Sequence, residues 1–243
     1  MLASAKRTTF RTVLDVTTSV AMITAAITLV FRSGPSGPAT ADLLTPSEPV
    51  SIQGAPTRGS PDAKVVMIVL SDFQCPYCSR FAREVLPQIE RRYIAAGTVA
   101  LAFRHLPLPI HPQAVQAAAV AECAARQGMF WEVHDRLFAE EDLDADILRS
   151  ISESVPLDRQ RLNDCLLDRS IGDDIQASIA EARGLGVRAT PTFFIGTRIA
   201  DGRVKVGRAL SGMRPAEEFM RVLDSILEER RTSWRFWLRR LEW

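Results

Sequence analysis

The stretch VVMIVLSDFQCPYCSRFAREV, residues 65–85, decides the fold of this chain. Its first part, residues 65–70, is a short, continuously apolar run rich in β-branched residues, which is typical of a buried strand. A CPYC motif follows at residues 75–78. Behind it, apolar residues recur at every fourth position from Phe81, which predicts a helix that ends near Gly97. The stretch therefore predicts a strand, a turn with two cysteines and a helix in direct succession.

The order of the remaining elements predicts the fold class. A second strand at residues 99–103 completes a strand–helix–strand unit, and residues 113–183 then show only helical periodicity. Strand patterns return after residue 190, with Asp201-Gly202 as a hairpin turn. We therefore expect an α/β protein in which an all-helical insertion at about 112–184 interrupts a βαβ…ββα order. The predicted helices are 113–126, 129–139, 145–154, 158–169, a segment that Gly184 and Gly186 close, and 215–231; the predicted late strands are 192–195 and 204–206.

The two cysteines lie where the first strand passes into the helix, and this position predicts their chemistry. Pro76 suits the first turn of a helix, so Cys75 is expected at or next to the N-cap. There the free backbone N–H groups and the positive helix end stabilise a thiolate relative to a thiol. Because a stabilised thiolate is a good leaving group, a Cys75–Cys78 disulfide should pass readily to another dithiol, with Cys78 as the buried resolving partner.

A C-x-x-C pair is also half of a zinc site, which is the alternative for these two cysteines. The sequence contains no second C-x-x-C and no close pair of histidines. His105 and His111 are isolated from each other, and a proline at a predicted helix start follows His111. We therefore predict neither a metal site nor a bound cofactor.

A second candidate element is Thr190-Pro191, 116 positions after Cys75 (191 − 75) and directly before an apolar strand. A proline at the entrance to a strand donates no hydrogen bond to the ladder, so in isolation the motif indicates a trans proline at a sheet edge. Cis peptide bonds are almost confined to proline. Together with the CPYC motif, a cis Thr190-Pro191 bond is favoured, which would present the backbone of Thr190 to an extended substrate beside Cys75.

These stretches together resemble the DsbA-like proteins with a thioredoxin fold. The resemblance covers roughly residues 50–230. It rests on residues 66–78, on the RHLP…HP pattern within 104–112, on the helical insertion and on GVRATPTF at 186–193. The motifs occur in the right order around an insertion of the right kind.

The resemblance implies a role for each site residue. Cys75 would be the attacking and exchanging cysteine, Cys78 its partner in the redox-active disulfide, and Pro191 the cis-proline next to Thr190. The substrates would be exported proteins with free thiols. A quinone-linked membrane partner of the DsbB-like or vitamin K epoxide reductase-like type would reoxidise the pair.

Two positions depart from this family. Many relatives have a glutamate six positions before the first cysteine, usually taken as a proton relay, where this chain has Val69. The nearer carboxyl is that of Asp72, for which we favour capping of the loop over proton transfer. Tyr77 stands where the best-known oxidants carry histidine. Because the positive charge is lost, the sequence does not predict a strongly oxidising potential.

The other two cysteines, Cys123 and Cys165, both lie on predicted helices of the insertion. Cysteine is often a small buried apolar residue, whereas an oxidising compartment favours a bridge. We favour a structural Cys123–Cys165 disulfide. The sequence by itself leaves three pairings of the four cysteines open.

The N-terminus has a membrane-targeting pattern. Three basic residues precede an uncharged run at 16–31, which Arg32 closes. We predict an uncleaved signal anchor at 1–32 with its N-terminus in the cytoplasm and the domain on the outer face of the cytoplasmic membrane. Ala-Thr-Ala at 39–41 has the spacing of a signal-peptidase site, so a cleaved signal and a periplasmic or secreted protein are the main alternative. A buried helix of a soluble protein is a lesser one.

Composition separates the other segments. Residues 33–63 are rich in proline, glycine and serine and are predicted to be a flexible linker to a domain at 64–231. The tail at 232–243 is basic and aromatic; it is either an interfacial helix at a membrane or a continuation of the last helix. Thirty basic residues against twenty-nine acidic ones provide no field for nucleic acid. The linker offers no dimerisation segment, so we predict a monomer.

Three functions follow from these features. The favoured one is an extracytoplasmic thiol-disulfide oxidoreductase that transfers a disulfide to exported proteins through Cys75. A disulfide reductase or isomerase, which would use the same centre to remove or rearrange disulfides, is the nearest alternative. A tethered peptide-binding or chaperone module is a different class, in which Cys75 could be replaced without loss of function.

Overall fold

Within residues 45–240, five strands form one mixed sheet in the order β1-β3-β2-β4-β5. Strand β2 lies in the middle, parallel to β3 and antiparallel to β4. The edge strands are β1, which pairs antiparallel with β3, and β5, which pairs antiparallel with β4. The βαβ…ββα order and the helical insertion are those of the thioredoxin fold, so the predicted α/β fold class is confirmed. The strands are β1 Thr57–Arg58, β2 Val65–Ser71, β3 Val99–His105, β4 Thr192–Arg198 and β5 Val204–Ser211.

The structure is a computed structural model, which describes residues 45–240 and the side chains of residues 45–232. The predicted membrane segment at 1–32 lies outside the described residues, as do the first part of the predicted linker and the side chains of most of the basic aromatic tail. Among residues 45–240, no helix is both long enough and apolar enough to cross a membrane.

Strand β2 is the centre of the core. All seven of its residues are buried, because helices cover both faces of the sheet and strands flank it on both sides. This is why the sequence shows a continuous apolar run here and not the alternation of a strand with one wet face. The strand therefore fixes the position of the turn that follows Ser71 and carries the CPYC motif.

The helix after β2, here α1, spans residues 76–94 in four consecutive pieces, two α-helical and two π-helical. The π-helical pieces, Phe81–Val85 and Glu90–Ile94, flank the turn that contains Pro87. Proline lacks the N–H that a regular interior turn requires, and wider turns are a known way of accommodating such a break. The helix stops before Gly97, whose positive φ of 69° lets the chain turn back towards β3.

The insertion contains five helices close to their predicted positions. They are α2 Ala114–Ala125, α3 Phe130–Ala139, α4 Ala145–Ser154, α5 Arg159–Leu167 and α6 Arg169–Gly184. The side chains of Asp144 and Asp158 cap the first turns of α4 and α5, and Asp168 caps α6. These aspartates explain why short helices begin where they do.

The C-terminal part differs from the prediction in length. The hairpin turn lies where expected, at Asp201-Gly202, but β5 continues to Ser211. The last helix, α7 Ala216–Arg240, runs nine residues past the predicted end at Arg231. Glycine and proline signals mark where helices stop, and the sequence after Arg231 contains neither, so the prediction placed that end too early.

The predicted linker at 33–63 is wrong in its second half. Val50 and Ile52 are buried, and Val50 exchanges two backbone hydrogen bonds with Val204 on β5. Strand β1 then pairs with the other edge of the sheet. Arg58 contacts Asp135 at 2.8 Å and Glu90, and its guanidinium lies 4.3 Å from the centre of the Trp131 ring. The composition of this segment predicted a tether. The prediction failed because the segment is held by backbone hydrogen bonds to the sheet edges, which do not depend on amino-acid composition.

Candidate redox site

The carboxyl end of β2 leads into the turn that carries the two cysteines. After Ser71 the chain makes a short turn, and Cys75 becomes the N-cap residue of α1 with Pro76 in the first turn. The turn is held from below by Phe73, whose ring lies 5.2 Å from that of Phe103 and 4.9 Å from that of Phe138. Cys75 therefore lies at the positive end of α1.

The two thiols lie in different environments. Cys75 is buried to 4% exposure, and its Sγ donates to the carbonyl oxygen of Thr190 at 3.5 Å. Cys78 lies one turn further along α1 and is 1% exposed. Tyr77, between them, is 58% exposed, so the turn presents an apolar ring to the solvent beside the centre.

This geometry makes Cys75 acidic. The thiol of Cys78 donates a hydrogen bond that lowers the pKa of Cys75 to about 6, and the backbone N–H groups of Cys78 and Tyr77 add to this effect against the opposing cost of burial. A hydrogen bond with Thr190 also lowers this pKa. The thiolate of Cys75 is therefore the main form of the reduced centre at neutral pH.

Cys78 is shifted in the opposite direction. Burial raises its pKa well above the usual value, and the negative charge on Cys75 raises it further. The hydroxyl of Ser71 and the N–H of Asp72 oppose this shift, because both can donate a hydrogen bond to a thiolate. Cys75 is thus the more acidic thiol of the pair, and Cys78 stays protonated in the reduced centre.

The predicted proline motif lies directly opposite. The Thr190-Pro191 peptide bond is cis, and β4 begins immediately after it at Thr192. Thr190 is buried and bonded to Cys75, as described above. The structure therefore brings the CPYC cysteines, Cys75 and Cys78, next to Thr190 and Pro191, although Cys75 and Pro191 are 116 positions apart in the sequence.

Two contacts of this site were not found from the sequence. His111, which we interpreted as an isolated histidine, lies with its Nδ1 2.7 Å from a carboxylate oxygen of Asp72. His105 lies apart from it and contacts Glu122 at 3.3 Å. Ser71 was not considered at all. The only sequence signal was that His111 falls in a stretch that carries the family resemblance.

The second cysteine pair lies in the insertion. An S–S bond joins Cys123 on α2 to Cys165 on α5; the two cysteines are 42 positions apart in the sequence, and their Cα atoms are 5.8 Å apart. Within residues 45–240, no group of three or more His, Cys, Asp or Glu side chains is arranged to hold a metal ion.

An acidic thiol at a helix N-terminus, a buried partner thiol one turn further on and a cis-proline against them define the class of thiol-disulfide oxidoreductases. Sequence profiles and solved structures agree with this class. The thioredoxin family profile, described as "Thioredoxin", matches residues 51–210. The chain belongs to the thioredoxin family, and within it to the DsbA-like thiol-disulfide oxidoreductases.

The solved structures that are similar include two at more than a quarter sequence identity. Wolbachia pipientis alpha-DsbA1 is 26% identical with a TM-score of 0.67; the match covers 74% of this chain and 94% of that one. Pseudomonas aeruginosa DsbA2 is 28% identical with a TM-score of 0.54, and the match covers 69% of this chain and 91% of that one. BdbD from Bacillus subtilis, 20% identical with a TM-score of 0.65, is similar in fold.

Curated relatives of this chain carry a different name. The protein called Na(+)/H(+) antiporter NhaA 3 of Salinispora tropica is 38% identical over 160 residues, which are 65% of this chain and 23% of that protein. A second antiporter, NhaA 1 of Salinispora arenicola, is 34% identical over 68% of this chain and 24% of its own length. The chain thus spans about a quarter of the length of these relatives.

The acidity of Cys75 predicts a pH profile. The rate of its alkylation by iodoacetamide should be half-maximal near pH 6 and should fall about tenfold per pH unit below that, because only the thiolate reacts. The folded-state pKa lies below the value of about 8.5 for an unfolded cysteine. Ionisation therefore stabilises the reduced fold fully above about pH 8.5, and this contribution is lost as the pH falls through 6.

Mass spectrometry can follow this alkylation at Cys75 from pH 4 to 9. The same chain in denaturant is the control, and its profile should have a midpoint near 8.5. A folded protein whose profile matched the denatured one would show that the helix N-terminus and Cys78 do not stabilise the thiolate.

Proposed function

We propose that this protein is a disulfide donor that acts on exported proteins outside the cytoplasm, with the Cys75–Cys78 disulfide as its reactive group. The single observation that carries the proposal is the geometry of Cys75, which lies at the N-cap of α1 with the buried Cys78 one turn further on and the cis Thr190-Pro191 bond opposite. This geometry lowers the pKa of Cys75 to about 6. A stabilised thiolate favours the reduced form of the chain, so a disulfide on this centre is readily given to another dithiol.

The reaction proceeds in two exchanges. A thiolate of the client attacks Cys75 Sγ, the Cys75–Cys78 bond breaks, and Cys78 leaves as a thiolate that takes up a proton. A second client thiolate then attacks the client sulfur of the mixed disulfide, and Cys75 leaves as its stabilised thiolate. The client loses two electrons, which reduce the pair, and the client thiols release the protons.

Exposed apolar side chains around the centre support unfolded proteins as clients. Tyr77 is 58% exposed, Ile110 is 78% exposed and Val115 is 46% exposed. The loop between β3 and α2, which carries Ile110, is bonded to the active-site turn: the N–H of Leu108 donates to Asp72 and that of Gln113 donates to Gln74. These side chains offer contact to the apolar segments that unfolded chains expose.

The setting is also part of the proposal. A signal anchor at 1–32 would hold the domain at the outer face of the cytoplasmic membrane, and a cleaved signal would release it to the periplasm or the medium. A quinone-linked membrane partner of the DsbB-like or vitamin K epoxide reductase-like type would reoxidise the pair. The domain boundaries, with the redox domain reaching back to about residue 50, belong to the same proposal. The antiporter relatives are named for ion transport. Because this chain matches only about a quarter of their length, we do not propose ion transport for it.

Disulfide transfer in solution tests this function. The oxidised protein is mixed with a reduced, unfolded protein that contains two cysteines, and free thiols on both are counted by alkylation and mass spectrometry. We expect one disulfide to appear in the client for each Cys75–Cys78 pair that becomes reduced. A reductase or isomerase would instead retain its disulfide or remove those of an oxidised client, and a binding module would change no thiol.

A further inference from the structure

Asp72 is a buried carboxylate directly below the redox centre, three residues before Cys75. Its side chain is fully buried. Its backbone carbonyl accepts the N–H of Cys75 at 3.1 Å, and its own N–H is directed at the sulfur of Cys78. Any charge on Asp72 therefore lies next to both thiols in surroundings from which water is excluded.

Both carboxylate oxygens are already used. One accepts the N–H of Gln74 at 2.8 Å, and the other accepts the N–H of Leu108 at 2.7 Å and contacts Nδ1 of His111 at 2.7 Å. Asp72 therefore caps the turn, as favoured from the sequence, and its oxygens bind groups of the turn and of the loop between β3 and α2.

A buried anion beside a thiolate needs compensation. Like charges close together in low dielectric disfavour each other, so an uncompensated Asp72 would destabilise the Cys75 thiolate. His111 is the basic side chain that touches this carboxylate, and its ring is 16% exposed. It belongs to the loop between β3 and α2, 39 residues away in the sequence.

We propose that His111 is a positioning residue of the redox centre, which neutralises Asp72 and thereby stabilises the Cys75 thiolate and makes its disulfide more oxidising. His111 places a positive charge below the active-site turn, where it cancels the charge of Asp72; Tyr77 supplies no such charge within the CPYC motif. This inference rests on Cys75 being the reacting thiol of the proposed function, but the acidity of Cys75 can be measured without a client.

The charge model predicts effects of opposite sign for the two partners. His111→Asn keeps a side-chain N–H near Asp72 and removes the charge, so the thiolate–thiol equilibrium of Cys75 should move about three- to tenfold towards the thiol. Asp72→Asn removes the anion and should move the equilibrium towards the thiolate. In the double variant the two effects should largely cancel. The equilibrium constant of the Cys75–Cys78 disulfide with glutathione should change in the same directions.

The experiment measures thiolate absorbance at 240 nm against pH, and the glutathione equilibrium, in the reduced full chain and its variants. Asp173→Asn, an exposed carboxylate on α6, is the matched control and should change neither value. Asp72→Asn leaves one buried N–H without its acceptor and can unfold the chain; His111→Asn and His111→Gln then carry the test. Circular dichroism establishes that each variant is folded.

Each result has one meaning. Opposite shifts that cancel in the double variant support charge compensation by His111. Shifts of the same sign in both single variants would show that the pair merely holds the loop, and unchanged acidity in folded His111→Asn would overturn the proposal. A wild-type chain with the expected acidity that transfers no disulfide would contradict the proposed function and leave this inference standing.

Discussion

Replacing Cys75 with serine should reduce disulfide transfer to the rate of the uncatalysed reaction. The hydroxyl of serine cannot form the mixed disulfide, and Cys78 cannot take over because burial raises its pKa well above the usual value. The measurement is the transfer assay described above, carried out with equal amounts of wild type and Cys75→Ser. The loss should be complete within the detection limit, because no other described thiol has a lowered pKa.

Cys78→Ser is the matched control for that loss. This variant keeps the acidic Cys75, so it should still attack a disulfide-containing protein but should stop at the mixed disulfide, which accumulates because the resolving thiol is missing. Mass spectrometry identifies this species and the cysteine involved. Full transfer by Cys75→Ser, or a mixed disulfide on another cysteine, would contradict the assignment of the exchanging residue.

Removing the Cys123–Cys165 bridge should lower the free energy of unfolding by about 4 kcal/mol. The bridge closes a loop of 42 residues, and the chain-entropy model assigns about that value to a loop of this length. The bridge also joins α2 to α5 in the wall of the insertion. Urea unfolding of a Cys123→Ala/Cys165→Ala variant measures the change.

A Cys75→Ala/Cys78→Ala variant provides the comparison for this measurement. It removes the other cysteine pair, which closes only a very short loop, so its free energy of unfolding should change by a much smaller amount. Equal losses in the two variants, or a loss below about 1 kcal/mol for the long loop, would argue against a structural role of the bridge. A peptide map that linked Cys75 to Cys123 would overturn the pairing itself.

The sequence predicted most of the fold because the strongest signals are local. The buried run of β2, the proline after Cys75 and the glycines after α1 and α6 each act through neighbouring residues. The wrong parts depend on distant contacts. Residues 50–58 dock because they pair with sheet edges formed by β3 and β5, and no local pattern indicates an edge that is built 43 (101 − 58) or more residues away.

The site shows the same division. Cys75 and Cys78 follow from spacing and from their position before a helix, and Thr190-Pro191 follows from the resemblance. The contact between Asp72 and His111 joins residues 39 positions apart through the turn of a loop, and a single sequence has no means of pairing them. Ser71 was missed because a serine at the end of a strand has no distinctive pattern. Its hydrogen bond with Cys78 depends on how α1 is placed against the end of β2.

The redox state of Cys75 and Cys78 in growing cells tests most directly whether this centre donates disulfides. Cells are quenched in acid, free thiols are alkylated, and the fraction of oxidised pair in the full-length protein is measured by mass. A disulfide donor is recharged after each transfer, so the pair should be mostly oxidised and should become reduced when the respiratory quinone pool is depleted. A pair that is mostly reduced in untreated cells would contradict disulfide donation and indicate a reductase or isomerase.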